Sequence, residues 1–222
     1  EYTLARAVMK VIDKKDGAVI WCGRDLGDLQ GPQVRGLRKE FQIVFQDPLA
    51  SLDPRMTIGQ SIAEPLVTLH PELSRAQVQD EVRAMMKRVG LEPGWINRYP
   101  HEFSGGQNQR VGIARAMILK PKLIVCDEAV SALDVSIQSQ IVDLILNLQS
   151  EFGMSMIFIS HDLSVVRQVA HRVMVLYLGR IVELADRNSI YEDPRHPYTR
   201  ALIAAVRVPD PKAERGKLNA AL

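Results

Sequence analysis

Apolar residues along this chain follow two different spacings, which predict two kinds of secondary structure. Residues 2–12 place Leu4, Val8, Val11 and Ile12 at helical spacing, so the chain is expected to open with a helix. Short apolar runs predict strands, and the continuous run within residues 122–128 is typical of a strand covered on both faces. The other predicted strands are 18–23, 41–46 and 154–160, with a closing pair at 172–179 and 180–184.

Helical patterns fill the segments between these strands. The pattern is helical from Pro48 to Lys120, and residues 75–91 form its clearest amphipathic stretch. A long helix is predicted at 135–153, closed by Gly153, and shorter ones at 162–170 and 196–206. Because strands alternate with helices, the sequence indicates an α/β core with a mostly parallel sheet.

Composition narrows the class of protein. The chain has 222 residues, enough for one sizeable core or for one domain with a subdomain. Its 28 basic and 26 acidic residues nearly balance, which gives no general reason to expect a nucleic-acid partner. Cys22 and Cys126 lack the spacing of a metal site and indicate a reducing compartment. No apolar run reaches the length of a membrane span, so any membrane role is expected to be peripheral.

Polar residues follow three of the predicted strands. Gln46 follows the second strand, Asp127 and Glu128 follow the third, and His161 follows the fourth. Ligands of open parallel sheets bind beyond the carboxyl ends of the strands, so one shared site is expected. Taken singly, each residue also fits a plainer role: a turn glutamine, a helix-capping acidic pair, a structural histidine. Beside phosphates, Asp127 would bind Mg²⁺, while Glu128 would orient a water molecule and accept its proton.

The sequence FSGGQNQR at 103–110 precedes a predicted helix. Ser104 suits the N-cap position, and Gly105 and Gly106 would let an anion approach the free amides of the first turn. An ordinary glycine-rich loop before a capped helix is the plainer alternative. The order of SGGQ ahead of Asp127 favours an anion site.

Together these motifs resemble those of the ATP-binding cassette (ABC) ATPases. FSGGQ resembles the family signature, LIVCDE resembles the Walker B strand, and SALD at 131–134 resembles the D-loop. ISHD carries His161 at the switch-histidine position. VFQDP carries Gln46 at the Q-loop position. The resemblance implies a P-loop NTPase-like core. It also implies one nucleotide-binding domain over 1–222, with a helical subdomain at about 48–120 and a C-terminal stretch at about 190–222.

The resemblance also implies a role for each motif residue, with ATP and Mg²⁺ as the small molecules bound. The signature loop would cap the γ-phosphate held by a partner subunit. The implied catalytic residues are Glu128, His161 and Gln46; the implied metal ligands are Asp127 and Gln46; the implied nucleotide-binding residues are Ser104, Gly105, Gly106, Gln107 and Asp134.

Two longer stretches resemble oligopeptide and dipeptide importers, namely residues 45–66 and 191–206. The resemblance implies an ATP-hydrolysing subunit, peripheral on the cytoplasmic face of a bacterial inner membrane. This subunit would pair head to tail with a second cassette and dock on two permease subunits through a groove near Gln46 to Arg55. A solute-binding protein would be an indirect partner, and no nucleic-acid partner is expected. The alternatives are a soluble cassette of DNA repair or translation, and a cassette remnant that binds a partner without hydrolysis.

The sequence departs from the family pattern at a few positions. Phe103, Asn108 and Ala129 replace common family residues and are expected to have little effect. The family's glycine-rich Walker A loop precedes TLARA, whereas here Glu1 stands at the lysine position and Tyr2 at the serine position. We therefore expect this sequence to lack the N-terminal strands and the Walker A loop.

A polypeptide of residues 1–222 is expected to show no measurable Mg-ATP affinity by calorimetry. A phosphate loop supplies several backbone amides and one lysine, and each hydrogen bond to a charged group contributes about 1.5–3 kcal/mol. Glu1 at the lysine position adds repulsion against phosphates. Tight binding by this polypeptide would show that another segment replaces the loop.

Overall fold

The computed structural model describes residues 2–205, except for the Tyr2 side chain. Glu1 and the part of the C-terminal stretch beyond residue 205 lie outside the described residues. The chain divides into two compact units, residues 1–162 and 163–222. Within residues 2–205, no helix combines the length and the apolar character needed to cross a bilayer.

The first unit contains five strands and seven α-helices among its described residues. In chain order they are α1 Tyr2–Val8, β1 Ile20–Trp21, β2 Arg24–Asp25, α2 Pro32–Glu40, β3 Phe41–Val44, α3 Pro48–Ser51, α4 Ile58–Leu69, α5 Arg75–Arg88, α6 Gly105–Met117, β4 Leu123–Asp127, α7 Val135–Phe152 and β5 Ser155–Ile159.

Three parallel strands form the sheet on which this unit is built, in the order β3-β4-β5. β4 is buried along its whole length, because a strand lies on each side of it and its residues are apolar up to Asp127. Phe41, Leu123 and Val125 contribute to a core that also includes Ala5 of α1 and Met9, the residue after it. The predicted parallel α/β core is thus confirmed.

Helices occupy the chain between β3 and β4. Helices α4 and α5 each begin with a capping box, formed by Thr57 with Gln60 and by Ser74 with Gln77. Their apolar sides are buried, which agrees with the helical spacing of the sequence. The largest buried side chains here are Ile58, Ile62, Met85, Met86, Ile113 and Met117.

The structure confirms most of the predicted elements and adds several others. The predicted closure of α7 by Gly153 is confirmed, since this glycine is left-handed with φ 62°. Helix α2 was not predicted, because Leu37 is its single buried residue and no apolar stripe marks it. Its usable signal was Pro32 in the first turn, a position that proline favours.

The second unit pairs an antiparallel hairpin with three short helices: α8 Leu163–Val169, β6 Arg172–Tyr177, β7 Arg180–Asp186, α9 Arg187–Glu192 and α10 Pro197–Ala205. Val173, Val175 and Ile190 form its buried core. The Glu183 carboxylate of β7 accepts hydrogen bonds from the backbone amides of Arg195 and His196 at 2.8 and 3.0 Å. This contact holds the segment before α10 against the hairpin.

Glu40 contacts Lys122, the residue directly before β4, and the contribution of this contact to stability can be tested. Its carboxylate accepts hydrogen bonds from Trp21 Nε1 at 2.8 Å and from Lys122 Nζ at 3.0 Å, and these two contacts lower the pKa of Glu40. A lowered carboxyl pKa stabilises the fold above the ordinary value of 4.5, and this stability is lost as the pH falls through the lowered pKa.

Replacing Glu40 with Gln should therefore lower the unfolding temperature by about 1–3 °C at pH 7, as measured by calorimetry. The difference should shrink towards zero below pH 4.5. Glu81→Gln is the matched control, because Glu81 meets Lys120 only at 3.8 Å on the surface. A pH-independent difference for Glu40→Gln would contradict the electrostatic explanation.

Candidate functional site

The carboxyl ends of β4 and β5 bring two of the predicted catalytic residues together. Glu128 directly follows β4, and its backbone amide donates to the Ile159 carbonyl of β5 at 3.0 Å. His161 follows β5, and its Nδ1 lies 3.2 Å from Glu128 Oε1. An ionised carboxylate only accepts, so Nδ1 carries the proton in this contact. Asp127 lies just before this pair and is almost fully buried.

Glu128 adopts a backbone conformation that is uncommon for a non-glycine residue. Its φ is +48°, in the left-handed region, where an L side chain costs about 1–2 kcal/mol. The Glu128 carbonyl accepts two hydrogen bonds from Ser131, from the amide at 3.1 Å and from the hydroxyl at 3.0 Å. These bonds hold the strained turn from which the Glu128 side chain reaches His161. Sequence reasoning missed this role of Ser131, although the residue opens the SALD motif.

Cys126 lies inside the sheet, one residue before Asp127. Its side chain is fully buried, and burial raises the pKa of the Cys126 thiol to about 12. The thiol therefore stays protonated at neutral pH and belongs to the core, as the sequence suggested.

Gln46 lies two residues beyond β3, at the same edge of the sheet, and is exposed to solvent. The carbonyl of the preceding residue, Phe45, accepts a hydrogen bond from the buried Gln109 of α6. The backbone beside Gln46 is thus tied to the helix that begins at the signature motif.

The signature motif begins α6 with a capping box. The Ser104 hydroxyl accepts from the Gln107 amide at 3.3 Å, and Gln107 Oε1 accepts from the Ser104 amide at 2.9 Å. The predicted N-cap is confirmed. Amides of the first helical turn have no partner within the helix, so those of Gly105 and Gly106 are available to an anion at this terminus.

The two signature glycines differ in their surroundings. A Cβ at Gly105 would lie 3.8 Å from the nearest atom, in Leu133, which is ordinary contact. A Cβ at Gly106 would lie 2.6 Å from Ile137 Cγ2, which is too close. Gly105 thus leaves space in front of the helix, whereas Gly106 lets α6 approach α7.

Asn108 is a buried residue that holds the turn before the signature helix. The residue is fully buried, and its Nδ2 donates to the carbonyls of Pro100 and Phe103 at 3.0 and 3.3 Å. These bonds hold the turn that leads into Ser104. The expectation that Asn108 in place of the usual family residue has little effect stays a prediction, while these hydrogen bonds are a reason for replacement of Asn108 to be destabilising.

Asp134 of the SALD motif is the N-cap of α7. Its carboxylate accepts from the Ser136 hydroxyl at 2.7 Å and from the Ile137 amide at 3.1 Å. The Ser136 hydrogen bond, followed by the Ile137 amide, lowers the pKa of Asp134. Asp134 is therefore ionised at neutral pH, and its contact with nucleotide stays a prediction.

Asp127 ends β4, Gln46 lies just beyond the neighbouring strand β3, and both have side-chain oxygens. Among residues 2–205, no group of three or more His, Cys, Asp or Glu side chains could hold a metal ion. Mg²⁺ requires few protein ligands, because phosphates and waters complete its octahedral shell. Asp127 and Gln46 carry side-chain oxygens of the kind that such an ion binds, so the residue types fit it, and their role as ligands stays a prediction.

Comparison with known proteins defines the class. Residues 3–131 match the family model described as ABC transporter, and residues 182–221 match the model described as Oligopeptide/dipeptide transporter, C-terminal region. The first match covers more than half of the chain, so the chain belongs to the ABC transporter family.

Two relatives are named for the transport of oligopeptides and of glutathione. The chain is 59% identical to the oligopeptide transport ATP-binding protein OppF of Salmonella typhimurium over 215 residues, which cover 97% of this chain and 64% of OppF. It is 50% identical to the glutathione import ATP-binding protein GsiA of Escherichia coli K12, over 96% of this chain and 34% of GsiA. The chain thus spans less than two thirds of the length of these relatives.

Solved structures show the same fold. The ATP-binding cassette MJ0796, solved as a dimer in a post-hydrolysis state with ADP and Pi, superposes with a TM-score of 0.75 at 26% identity, over 84% of this chain and 80% of its own. The protein cbiO1 of Clostridium perfringens, part of the transporter complex cbiONQ, gives a TM-score of 0.77 at 25% identity, over 92% and 79%.

Gly106→Ala should destabilise the protein by about 1–3 kcal/mol in denaturant unfolding, because its methyl group would overlap the stiff, β-branched Ile137. Gly105→Ala is the matched control one residue away, and its methyl group meets only ordinary contact. Equal stability of the two variants would show that the helices move apart at no cost.

Proposed function

We propose that this chain is the ATP-binding and ATP-hydrolysing part of a subunit that powers an importer of peptides. The observation that carries the proposal is the contact of Glu128 with His161 at 3.2 Å. Glu128 itself directly follows the buried Asp127. A carboxylate and an imidazole at the carboxyl edge of a parallel sheet are placed where ligands of such sheets bind.

In the proposed mechanism, Glu128 is the general base. Its carboxylate orients the attacking water and accepts its proton, and the strained turn fixes the direction of that carboxylate. His161, more exposed than Glu128, lies beside the same oxygen and would meet the γ-phosphate of the bound ATP. Asp127 and Gln46 would hold Mg²⁺, which neutralises charge on the phosphates when bound.

The signature turn, residues 104–107, serves a second nucleotide in this proposal. The amides of Gly105 and Gly106 and the positive end of the α6 dipole favour an anion, and the Ser104 hydroxyl can still donate. In a head-to-tail dimer of cassettes, that anion is the γ-phosphate held by the partner subunit. The dimeric form of MJ0796 supports this arrangement.

The peptide class of substrate rests on the C-terminal part of the chain and on its relatives. Residues 182–221 match the oligopeptide/dipeptide C-terminal region, and OppF and GsiA are named for oligopeptide and glutathione transport. The subunit would lie on the cytoplasmic face of the bacterial inner membrane and dock on two permease subunits near Gln46 to Arg55. A solute-binding protein and the permeases would select the peptide.

Glu128→Gln in the full-length protein should retain ATP binding and reduce turnover by about 10²–10⁴-fold. The amide keeps the shape of the carboxylate but cannot accept the proton from water. Phosphate release and nucleotide binding are measured on the same preparation. Glu151→Gln is the control, because Glu151 pairs with Arg88 on the surface. Unchanged turnover in Glu128→Gln would exclude this residue as the base, and absence of hydrolysis in the unmodified protein would favour a non-catalytic cassette.

A further inference from the structure

Asn108, near the start of α6, is a polar side chain with no exposure to solvent, and only half of its amide is hydrogen-bonded. Its Nδ2 donates to the Pro100 carbonyl at 3.0 Å and to the Phe103 carbonyl at 3.3 Å. Carbonyl oxygens only accept, so the donor half of the amide faces them. The other half, Oδ1, has no hydrogen-bond partner within the part of the chain that the structure describes. An unpaired buried acceptor costs free energy, so stability alone does not account for an amide at position 108.

The turn that precedes the signature motif is held on both of its sides. At its start, the Arg98 carbonyl accepts a hydrogen bond from the Ile58 amide of α4 at 2.9 Å. At its end, the Phe103 ring meets the Trp95 ring edge to face, with the ring centroids 5.7 Å apart. Asn108 adds the bonds that join this turn to α6, so the turn and the amino end of the helix are held together.

The bond from Asn108 to the Phe103 carbonyl also determines the direction of Ser104. This carbonyl belongs to the same planar peptide group as the Ser104 amide, so fixing one fixes the other. The Ser104 amide donates to Gln107 Oε1 at 2.9 Å, which is one half of the capping box at the start of α6. The Ser104 hydroxyl forms the other half with the Gln107 amide. The position of this hydroxyl thus depends on a side chain one helical turn further along the chain.

We propose that Asn108 is a positioning residue for the signature turn. Through the peptide group between Phe103 and Ser104, its amide directs the hydroxyl and the amides of that turn at the anion that they bind. This inference rests on the proposed function, in which the anion is the γ-phosphate of a nucleotide held by a partner subunit. The position requires donor hydrogens, because a side chain without them removes the bond that orients the Phe103 carbonyl.

The first experiment tests this hold on the turn by hydrogen exchange in the full-length protein without nucleotide. Asn108→Leu has nearly the same size as the asparagine but no donors, whereas Asn108→Gln keeps both donor hydrogens. Arg110→Met is the matched control, because Arg110 lies on the same helix and donates to the Val89 carbonyl at 2.7 Å, away from the signature turn.

Asn108→Leu should accelerate exchange of the amides of residues 103–104 about tenfold and leave those of residues 90–91 unchanged. Arg110→Met should give the reverse pattern, and Asn108→Gln should stay within about twofold of the unmodified protein in both regions. Unchanged exchange at residues 103–104 in Asn108→Leu would overturn the proposal. Equal loosening of both regions by Asn108→Leu and by Arg110→Met would overturn it as well.

The second experiment measures ATP-dependent association of the full-length protein with its second cassette by sedimentation. All samples carry Glu128→Gln, so that bound Mg-ATP is retained. Asn108→Leu should weaken association about five- to tenfold, while its own nucleotide affinity, measured by calorimetry before mixing, stays within about twofold. A merely structural role would not separate these two affinities. Asn108→Gln and Arg110→Met should associate as tightly as the unmodified sequence.

Full association in Asn108→Leu would overturn the proposal. An equal loss of association in Asn108→Gln and Asn108→Leu would also overturn it, since donors at this position would then be irrelevant. Absence of ATP-dependent association in the protein that carries only Glu128→Gln would instead contradict the proposed function. In that case the exchange measurement would still decide whether Asn108 holds the turn.

Discussion

Parallel pairing of β4 between β3 and β5 is the constraint on which the rest of the first unit depends. A strand paired on both edges and buried along its whole length fixes the place where the chain emerges. Asp127 and Glu128 are therefore positioned by the sheet. Local interactions determine only the backbone conformation at Glu128. Those interactions are few and specific, since one serine accounts for both hydrogen bonds to its carbonyl.

The signature helix α6 serves both the fold and the proposed site. Its first residues form a capping box, its second glycine allows contact with α7, and Asn108 holds the preceding turn. Further along, Gln109 and Arg115 reach the chain after β3. A motif that looks dedicated to binding an anion thus also determines the packing around it.

Sequence reasoning recovered the fold class because apolar runs leave local signals, whereas the roles of the motif residues stay predictions. Apolar runs marked β3, β4 and β5, and the residues after them identified the shared edge, where Glu128 and His161 do meet. It could not recover contacts between distant segments, such as Gly106 with Ile137 or Gln109 with Phe45, because no spacing along the chain encodes them. Helix α2 was missed for a related reason, since a single buried leucine produces no periodicity.

The close approach of Gly106 to Ile137 links the signature motif to α7, the helix that Asp134 caps. Which residues are tolerated at position 106 depends on the side chain at 137, so the effect of a substitution at one position is conditional on the other. A smaller residue at 137 would permit alanine at 106, and the pair is expected to vary together among related sequences. Within this family, such epistasis would make a signature glycine replaceable in some lineages and invariant in others.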